Sequence, residues 1–238
     1  MDARIERPQL LSLQKGANIA MTKQRVAETD HGIQGEFPVE IYDQMQRRFR
    51  DKGWIETKDI INTGISRGVA LEIGPGPGYL GLEWLKHTQG TILRGLDIGD
   101  DMIAVAKRNA NDYGMAERTE YVQSSGEKIL FDDETFDAVF TNGSFHEWSN
   151  PKDTFNEVWR VLKKGGRFFV SDLRRDMLFL VKWFMWLVTK PKEIRPGLIT
   201  SINAAYAPSE IEQLLSETKL KDYDVKKNLM GIKVTGIK

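Results

Sequence analysis

The sequence predicts an α/β fold with a doubly wound, mostly parallel sheet of seven strands. Between residues 68 and 173, short apolar segments alternate with segments of helical periodicity, which is typical of parallel strands joined by right-handed crossovers. Two further strand-like segments close the chain without a helix between them, and they predict a C-terminal antiparallel pair. The 238 residues, 40% hydrophobic and 29% charged, have the composition of an ordinary globular protein.

Each element follows from a local signal. Ile41, Met45 and Phe49 recur at four-residue spacing, so they predict a helix with one apolar face over 38–54. Pro151 begins another predicted helix, where the first turn tolerates proline. The predicted strands are 68–73, 91–98, 119–123, 136–142, 167–173, 221–228 and 230–238, and the predicted helices are 38–54, 78–88, 100–114, 151–166 and 207–220.

Composition and charge exclude several classes of function. The chain contains no cysteine, so disulfides and thiolate chemistry are absent. Its formal net charge of zero provides no bulk attraction to nucleic acid. The charged N-terminal segment 1–16 lacks the apolar core of a signal peptide, and we therefore expect a cytoplasmic protein.

A glycine-rich loop directly follows the first predicted strand, in the sequence VALEIGPGPGYLG (69–81). Gly74, Gly76 and Gly78 allow a ligand to approach the backbone, and the helix that follows exposes its first N–H groups there. In an open α/β sheet, this is the edge at which ligands bind. The sequence therefore predicts a cofactor site at this loop.

Two cofactor interpretations compete for this loop. Gly76, Gly78 and Gly81 spell the dinucleotide fingerprint G-x-G-x-x-G, which favours a nicotinamide-dependent oxidoreductase. Counted from Gly74, however, Tyr79 occupies the place of the third glycine. Glu72, just before the loop, would repel a pyrophosphate but suits a ligand that carries an ammonium group.

Five ordered motifs resolve this competition. They are LEIGPGPG (71–78), GLDIGDDMIAVAKRNA (95–110), VQSSGEKILFDDETFDAVF (122–140), TNGSFHEW (141–148) and VWRVLKKGGRFFVSDL (158–173). In these segments the chain resembles the class I S-adenosylmethionine (SAM)-dependent methyltransferases, in particular the ubiquinone/menaquinone-type and small-molecule group. The resemblance implies a Rossmann-like methyltransferase fold, SAM as the cofactor and methyl transfer as the activity.

The resemblance also implies roles for individual residues. Glu72 would bind the methionine ammonium through water, Asp97 would accept hydrogen bonds from the ribose hydroxyls, and Met102 would pack against adenine. A strand-end charge, a helix cap and simple core packing, respectively, are the structural alternatives for these three. Many relatives have an aspartate at the position of Ser125 that binds the adenine amino group, so here Ser125, Glu127 or a backbone group would take that contact. The implied cofactor-binding residues are Glu72, Gly74, Gly76, Gly78, Asp97, Met102, Ser125, Gly126, Glu127 and Asn142, the last of which would lie beneath the sulfonium.

His146 is the candidate catalytic base. It follows the fourth predicted strand, where the acceptor should lie, and a neutral imidazole titrates near physiological pH. Alternatively, His146 orients the loop or only lines the pocket. We predict no metal, because the acidic segment 131–137 is typical of an exposed turn rather than a ligand set.

A long insertion separates the fifth strand from the last helix. Its segment 177–189 is apolar on all sides except at Lys182, and it is too short to span a bilayer, which takes about 20 residues. We interpret it as an acceptor lid with core packing, with a homodimer contact or a membrane-surface contact as alternatives. The tentative acceptor-pocket residues are Phe37, Tyr42, Trp148, Arg174 and Tyr206.

These expectations combine into one functional prediction. Residues 1–54 form an extension and a helix that covers the site, and residues 55–238 form the SAM-binding domain, with 174–207 as the lid insertion. The predicted activity is methyl transfer from SAM to a small, hydrophobic or aromatic acceptor, with no nucleic-acid partner. The alternatives are a nicotinamide-dependent oxidoreductase and a SAM-binding protein that transfers no methyl group.

Overall fold

A single sheet organises the computed structural model, which describes residues 24–28 and 35–238. Its strands are β1 (Val69–Ile73), β2 (Ile92–Asp97), β3 (Thr119–Gln123), β4 (Phe136–Asn142), β5 (Leu162–Leu173), β6 (Asp222–Lys227) and β7 (Gly231–Ile237). Their order in the sheet is β3-β2-β1-β4-β5-β7-β6. Strands β1 to β5 pair in parallel, whereas β7 is antiparallel to both β5 and β6. The predicted fold class is thus confirmed.

Helices connect the parallel strands and extend the chain beyond β5. They are α1 (Glu36–Asp51), α2 (Thr57–Asn62), α3 (Tyr79–Lys86), α4 (Asp100–Asp112), α5 (Pro151–Val161), α6 (Phe179–Val188), α7 (Arg195–Ala204) and α8 (Pro208–Ser216). Short 3₁₀ turns lie at Ala116–Arg118, Phe145–Glu147 and Lys192–Ile194. In the described part of the chain, no helix combines the length and the apolar character that crossing a membrane requires.

The sheet is covered on both faces, as a doubly wound fold requires. Phe168 and Phe169 are neighbours on β5, and because strand side chains alternate, they enter different apolar clusters. Phe168 packs in the cluster that contains Phe155 of α5, and Phe169 in the cluster that contains Trp84 of α3. Each such buried side chain contributes about 1.5–3 kcal/mol of burial free energy.

Strand β5 begins five residues earlier than the sequence predicts, at Leu162 rather than residue 167. Leu162 has an extended backbone, with φ −69° and ψ 136°, and it pairs with Phe136 of β4. The Leu162 side chain is fully buried, so packing overrides the helical pattern that extends to the glycine pair. Helix α5 therefore ends at Val161.

The strand order reverses between β1 and β4. Strand β1 connects to β2 on one side, while β4 and β5 lie on the other. A crevice forms beyond the carboxyl ends of strands at such a switch point. The glycine-rich loop leaves β1 at this place, so the fold itself positions the candidate site.

Candidate active site

A cavity of about 230 Å³ opens at the carboxyl edge of the sheet. The loops after β1 to β4 and the ends of β1 and β2 supply most of its wall, and α1, α4 and α5 supply the rest. The lining residues are Tyr42, Ile73, Gly74, Gly76, Leu96, Asp97, Ile98, Met102, Ser124, Ser125, Gly126, Glu127, Gly143, Ser144, Glu147, Trp148, Ser149 and Thr154.

Gly74 forms the floor of this cavity with a left-handed backbone, at φ 63°. A Cβ atom at Gly74 would lie 2.6 Å from Cβ of Ser144, a separation that packed side chains do not reach. The Gly74 N–H donates to the carbonyl of Leu96 at 2.8 Å, which joins the loop to β2. Only glycine combines this backbone with this close approach. Gly76 also lines the cavity, whereas Gly78 lies behind it and caps α3.

Asp97 ends β2 and faces the cavity. Its Oδ1 accepts a hydrogen bond from the Gly99 N–H at 2.9 Å, and its Oδ2 accepts one from the Gly76 N–H at 3.1 Å. Burial raises the pKa of Asp97, and these backbone donors oppose that rise. A carboxylate offers about four lone-pair sites, so this one is fixed in place and retains acceptor capacity for a ligand.

Glu72 lies behind the glycine loop and is not among the lining residues. Its side chain passes over Gly81, where an added Cβ would overlap the carboxylate. Burial, together with the charge of Asp97, raises the pKa of Glu72 to about 8. Gly81 therefore makes room for a buried acid, which explains the third glycine of the dinucleotide pattern without a dinucleotide. The expected water-mediated contact of Glu72 with an ammonium group stays a prediction.

The side of the cavity expected to hold adenine is built by Met102 and the loop after β3. Met102 is buried, packs with Val39 and Val105, and also lines the cavity, so packing and ligand contact are compatible here. Ser125, Gly126 and Glu127 lie in the lining, and their contacts with a cofactor stay predictions. The Glu127 Oε1 accepts a hydrogen bond from the Asn150 N–H at 2.6 Å, which anchors this loop to the start of α5.

The electrostatic character of the cavity is acidic. Asp97, Glu127 and Glu147 contribute carboxyl groups, and the lining formed by described residues contains no lysine or arginine. This wall suits a ligand with ammonium and sulfonium charges and disfavours a pyrophosphate. The chemistry of the donor set therefore fits SAM better than a dinucleotide.

His146 is buried beside the cavity and has acidic neighbours on both sides of its ring. Asp172 Oδ1 lies 2.8 Å from Nδ1, Asp172 Oδ2 accepts the His146 backbone N–H at 2.7 Å, and Glu28 Oε2 lies 3.3 Å from Nε2. Burial opposes the charged ring, but Asp172, Glu28 and Glu147 outweigh it and raise the pKa of His146 to about 11. With this pKa the ring is protonated near neutral pH, and a role of His146 as a base stays a prediction.

Other expected site residues have partners outside the cavity lining. The Asn142 Nδ2 donates to Glu56 Oε2 at 2.9 Å and to Ser171 Oγ at 2.8 Å, which holds its side chain against β5 rather than in the cavity. Arg174 forms a two-point ion pair with Asp176, at 2.6 and 2.7 Å. Neither residue is among those that line the cavity, and their expected contacts with cofactor and acceptor stay predictions.

Of the remaining residues expected in the acceptor pocket, some line the cavity and others do not. Tyr42 and Trp148 line the cavity as expected. Tyr206 does not, because it stacks on Phe145 at 4.6 Å, with the Arg25 guanidinium 4.2 Å above its ring. The side chain of Phe37 lies outside the described residues.

Sequence reasoning missed part of the site. The unforeseen lining residues are small or apolar, and these carry no chemical signal of their own: Ile73, Leu96, Ile98, Ser124, Gly143, Ser144, Ser149 and Thr154. Asp172 was also missed, although it lies near the carboxyl end of β5, next to the loop after β4 that contains His146. Its position on a neighbouring strand could have revealed it.

Comparison with known proteins identifies the class. Residues 71–170 match the family described as a methyltransferase domain. The chain is 33% identical over 102 residues to the uncharacterized methyltransferase YcgJ of Bacillus subtilis, covering 43% of this chain and 39% of that protein. It is 31% identical over 112 residues to the ubiquinone/menaquinone biosynthesis C-methyltransferase UbiE of Bartonella quintana, covering 45% of this chain and 42% of that protein.

A solved structure shows the same fold. The SAM-dependent methyltransferase of Aquifex aeolicus superposes with a TM-score of 0.62 at 20% identity, covering 77% of this chain and 89% of that one. The chain spans only 39% and 42% of the length of YcgJ and UbiE, respectively. The resemblance to class I SAM-dependent methyltransferases is confirmed: residues 71–170 form a methyltransferase domain of this class, whose cofactor is SAM.

Proposed function

We propose that the protein transfers the methyl group of SAM to a small, hydrophobic or aromatic acceptor. The observation that carries the proposal is the glycine-floored, acidic cavity at the switch point of a methyltransferase domain. The family match favours methyl transfer over the nicotinamide-dependent alternative. The absence of basic residues from the described cavity lining supports the same choice, because a pyrophosphate would lack a cationic partner there.

Several residues around the cavity have the chemical character that SAM binding requires. Asp97 would accept hydrogen bonds from the ribose hydroxyls, since two backbone donors fix its carboxylate in place. Gly74 and Gly76 would let the methionine portion approach the backbone, and Met102 would pack against the base. Bound SAM supplies an activated methyl group on a sulfonium. The protein's task is then alignment of the acceptor, and such positioning can lower a barrier by about 7–11 kcal/mol.

The preference for an apolar acceptor is supported by the apolar residues in the cavity wall. Tyr42 and Trp148 line the cavity, and Ile73, Leu96 and Ile98 add aliphatic surface. Apolar walls with a few polar groups are the usual lining of small-molecule sites. A hydrophobic or aromatic molecule would therefore bury its surface here.

Helix α6 supports a hydrophobic environment for the acceptor as well. The sequence predicts an acceptor lid with core packing over 177–189, but no residue of Phe179–Val188 is buried. The helix contacts α7, which in turn contacts the Phe145–Glu147 turn beside the cavity. Exposed aromatic residues with Lys190 and Lys192 alongside suit an anionic lipid surface. We propose that α6 docks there and that the acceptor is drawn from the lipid.

A methyl-transfer assay tests the proposal. The full chain is incubated with SAM labelled in the methyl group and with matched acceptor pairs, one lipophilic phenol, quinol or amine and its hydrophilic counterpart. We expect label in the lipophilic members and none with the Asp97→Ala variant. Label only in hydrophilic members would overturn the acceptor class, and SAM binding without transfer to any acceptor would favour the binding-protein alternative.

A further inference from the structure

Three metal-ligating side chains converge beside the cavity, from two distant parts of the sequence. Glu28 comes from the short described segment 24–28, whereas His146 and Glu147 come from the turn after β4. The His146 Nε2 lies 3.3 Å from Glu28 Oε2 and 3.8 Å from Glu147 Oε1, and one ligand atom from each residue falls within 4.8 Å of the other two. Metal bonds of about 2.0–2.2 Å place neighbouring ligand atoms roughly 3–3.5 Å apart.

The His146 Nε2 is the atom that points to a ligand. His146 is only 4% exposed, and its Nε2 is buried with no hydrogen-bond partner in the structure. The carboxylate of Glu28 forms an ion pair with Nε2 at 3.3 Å, but the geometry of this contact is not that of a hydrogen bond. Buried polar atoms are almost always satisfied, so an orphaned ring nitrogen facing two carboxylates calls for an explanation.

The other side of the ring has the arrangement found behind metal-bound histidines. Asp172 lies 2.8 Å from Nδ1 and also accepts the His146 backbone N–H, so the ring orientation is fixed. A histidine that binds a metal through one nitrogen usually donates the other N–H to a carboxylate or carbonyl. Asp172 is thus a positioning residue, and Nε2 is the atom that coordinates when a cation displaces its proton.

We propose that Glu28, His146 and Glu147 form a site for a divalent first-row cation at the edge of the cofactor cavity. One imidazole nitrogen with two carboxylate oxygens suits ions such as Mn²⁺ or Zn²⁺. The Glu147 side chain is 34% exposed and its residue lines the cavity, so the site adjoins the space for the acceptor. An oxygen atom of the acceptor could then complete the coordination shell, and this last step alone rests on the proposed function.

Titration with Mn²⁺ alone tests the site without SAM or acceptor. The chelator-treated full chain is titrated while the electron paramagnetic resonance signal of free Mn²⁺ is followed. We expect binding that weakens at least about tenfold in His146→Ala and in Glu28→Gln, and by about 10–100-fold in Asp172→Asn. His87→Ala is the matched control, because that side chain is 51% exposed at the end of α3, and it should bind Mn²⁺ as the parent does.

Two results would overturn the site. The first is a parent protein that binds no Mn²⁺ even at millimolar concentrations of the ion. The second is equal Mn²⁺ affinity in the parent and in His146→Ala. Circular dichroism and SAM calorimetry on each variant identify any that fail to fold. Because SAM binding is measured separately, failure of the metal site leaves the methyltransferase proposal standing, and the reverse also holds.

Discussion

At the scale of single residues, the buried carboxyl of Glu72 makes the free energy of unfolding depend on pH. Burial raises its pKa from 4.5 to about 8, so the folded protein holds a proton that the unfolded chain releases. The free energy of unfolding should therefore fall as the pH rises from 4.5 to 8. Glu72→Gln removes the ionisable group, so we expect it to stabilise the empty protein at the upper pH by about 2–4 kcal/mol relative to the parent.

Urea denaturation at both ends of that pH range measures this effect. Glu117→Gln, which changes an exposed carboxyl, should leave the pH dependence as in the parent. Denaturation curves for the parent and for Glu72→Gln that differ by the same amount at both pH values would contradict the account.

Two glycines with the same backbone separate strain from steric overlap. Gly74 has φ 63° and Gly114 has φ 65°, but only at Gly74 would a Cβ meet another atom, Ser144 Cβ at 2.6 Å. Gly114→Ala should cost only the left-handed strain, about 1–2 kcal/mol. Gly74→Ala should cost on the order of 3–5 kcal/mol and weaken SAM binding as well, because the cavity floor must move.

Chemical denaturation and SAM calorimetry of both variants check this prediction. Equal losses of stability in Gly74→Ala and Gly114→Ala would show that overlap with Ser144 plays no part.

At the scale of elements, α6 should contribute to surface binding and not to stability. Trp183 and Phe184 are 52% and 56% exposed, so Trp183→Ser should change stability by less than about 0.5 kcal/mol. Co-sedimentation with anionic phosphatidylglycerol vesicles should nevertheless fall at least about fivefold, because one aromatic side chain leaves the lipid. Trp54→Ser is the matched control, since Trp54 is 61% exposed but lies outside α6.

Vesicle binding that is equal in both tryptophan variants would contradict lipid docking. Concentration-dependent self-association that Trp183→Ser abolishes would assign α6 to a homodimer contact instead. Unfolding of Trp183→Ser would show that α6 belongs to the core.

The elements of the central sheet were predictable where a single local signal decided them. Strands β3 and β4 have the predicted bounds, because apolar residues end at clear turn signals. The start of β5 was not predictable, since Leu162 continues the helical pattern of α5 and only its pairing with Phe136 decides its conformation. The exposure of α6 was also hidden, because an apolar pattern looks the same in a core and on a surface.

At the scale of the whole molecule, the site was predictable only where its residues lie next to strand ends. Gly74, Asp97 and Met102 lie at or after strand ends in ordered motifs, and the structure places all three in the cavity wall. Asn142 also ends a strand, but its amide is taken by Glu56 and Ser171. Whether a strand-end side chain is held by other residues depends on tertiary contacts, which a sequence motif does not show.

The cluster around His146 shows the same limit over a longer distance. The sequence predicts no metal, because its acidic segment 131–137 is typical of an exposed turn. The fold instead brings Glu28 from the N-terminal part to Glu147, beside His146. Only the folded chain places these three groups together.

The central claim is that SAM occupies the cavity beside Asp97, and isothermal titration calorimetry tests it most directly. The parent protein should bind SAM and its demethylated product and should give no heat with NAD(H). Asp97→Ala should weaken SAM binding at least about tenfold, since a charged acceptor contributes about 1.5–3 kcal/mol, whereas Asp112→Ala, an exposed change on α4, should not. Binding of NAD(H) without SAM, or SAM affinity unchanged in Asp97→Ala, would contradict the account.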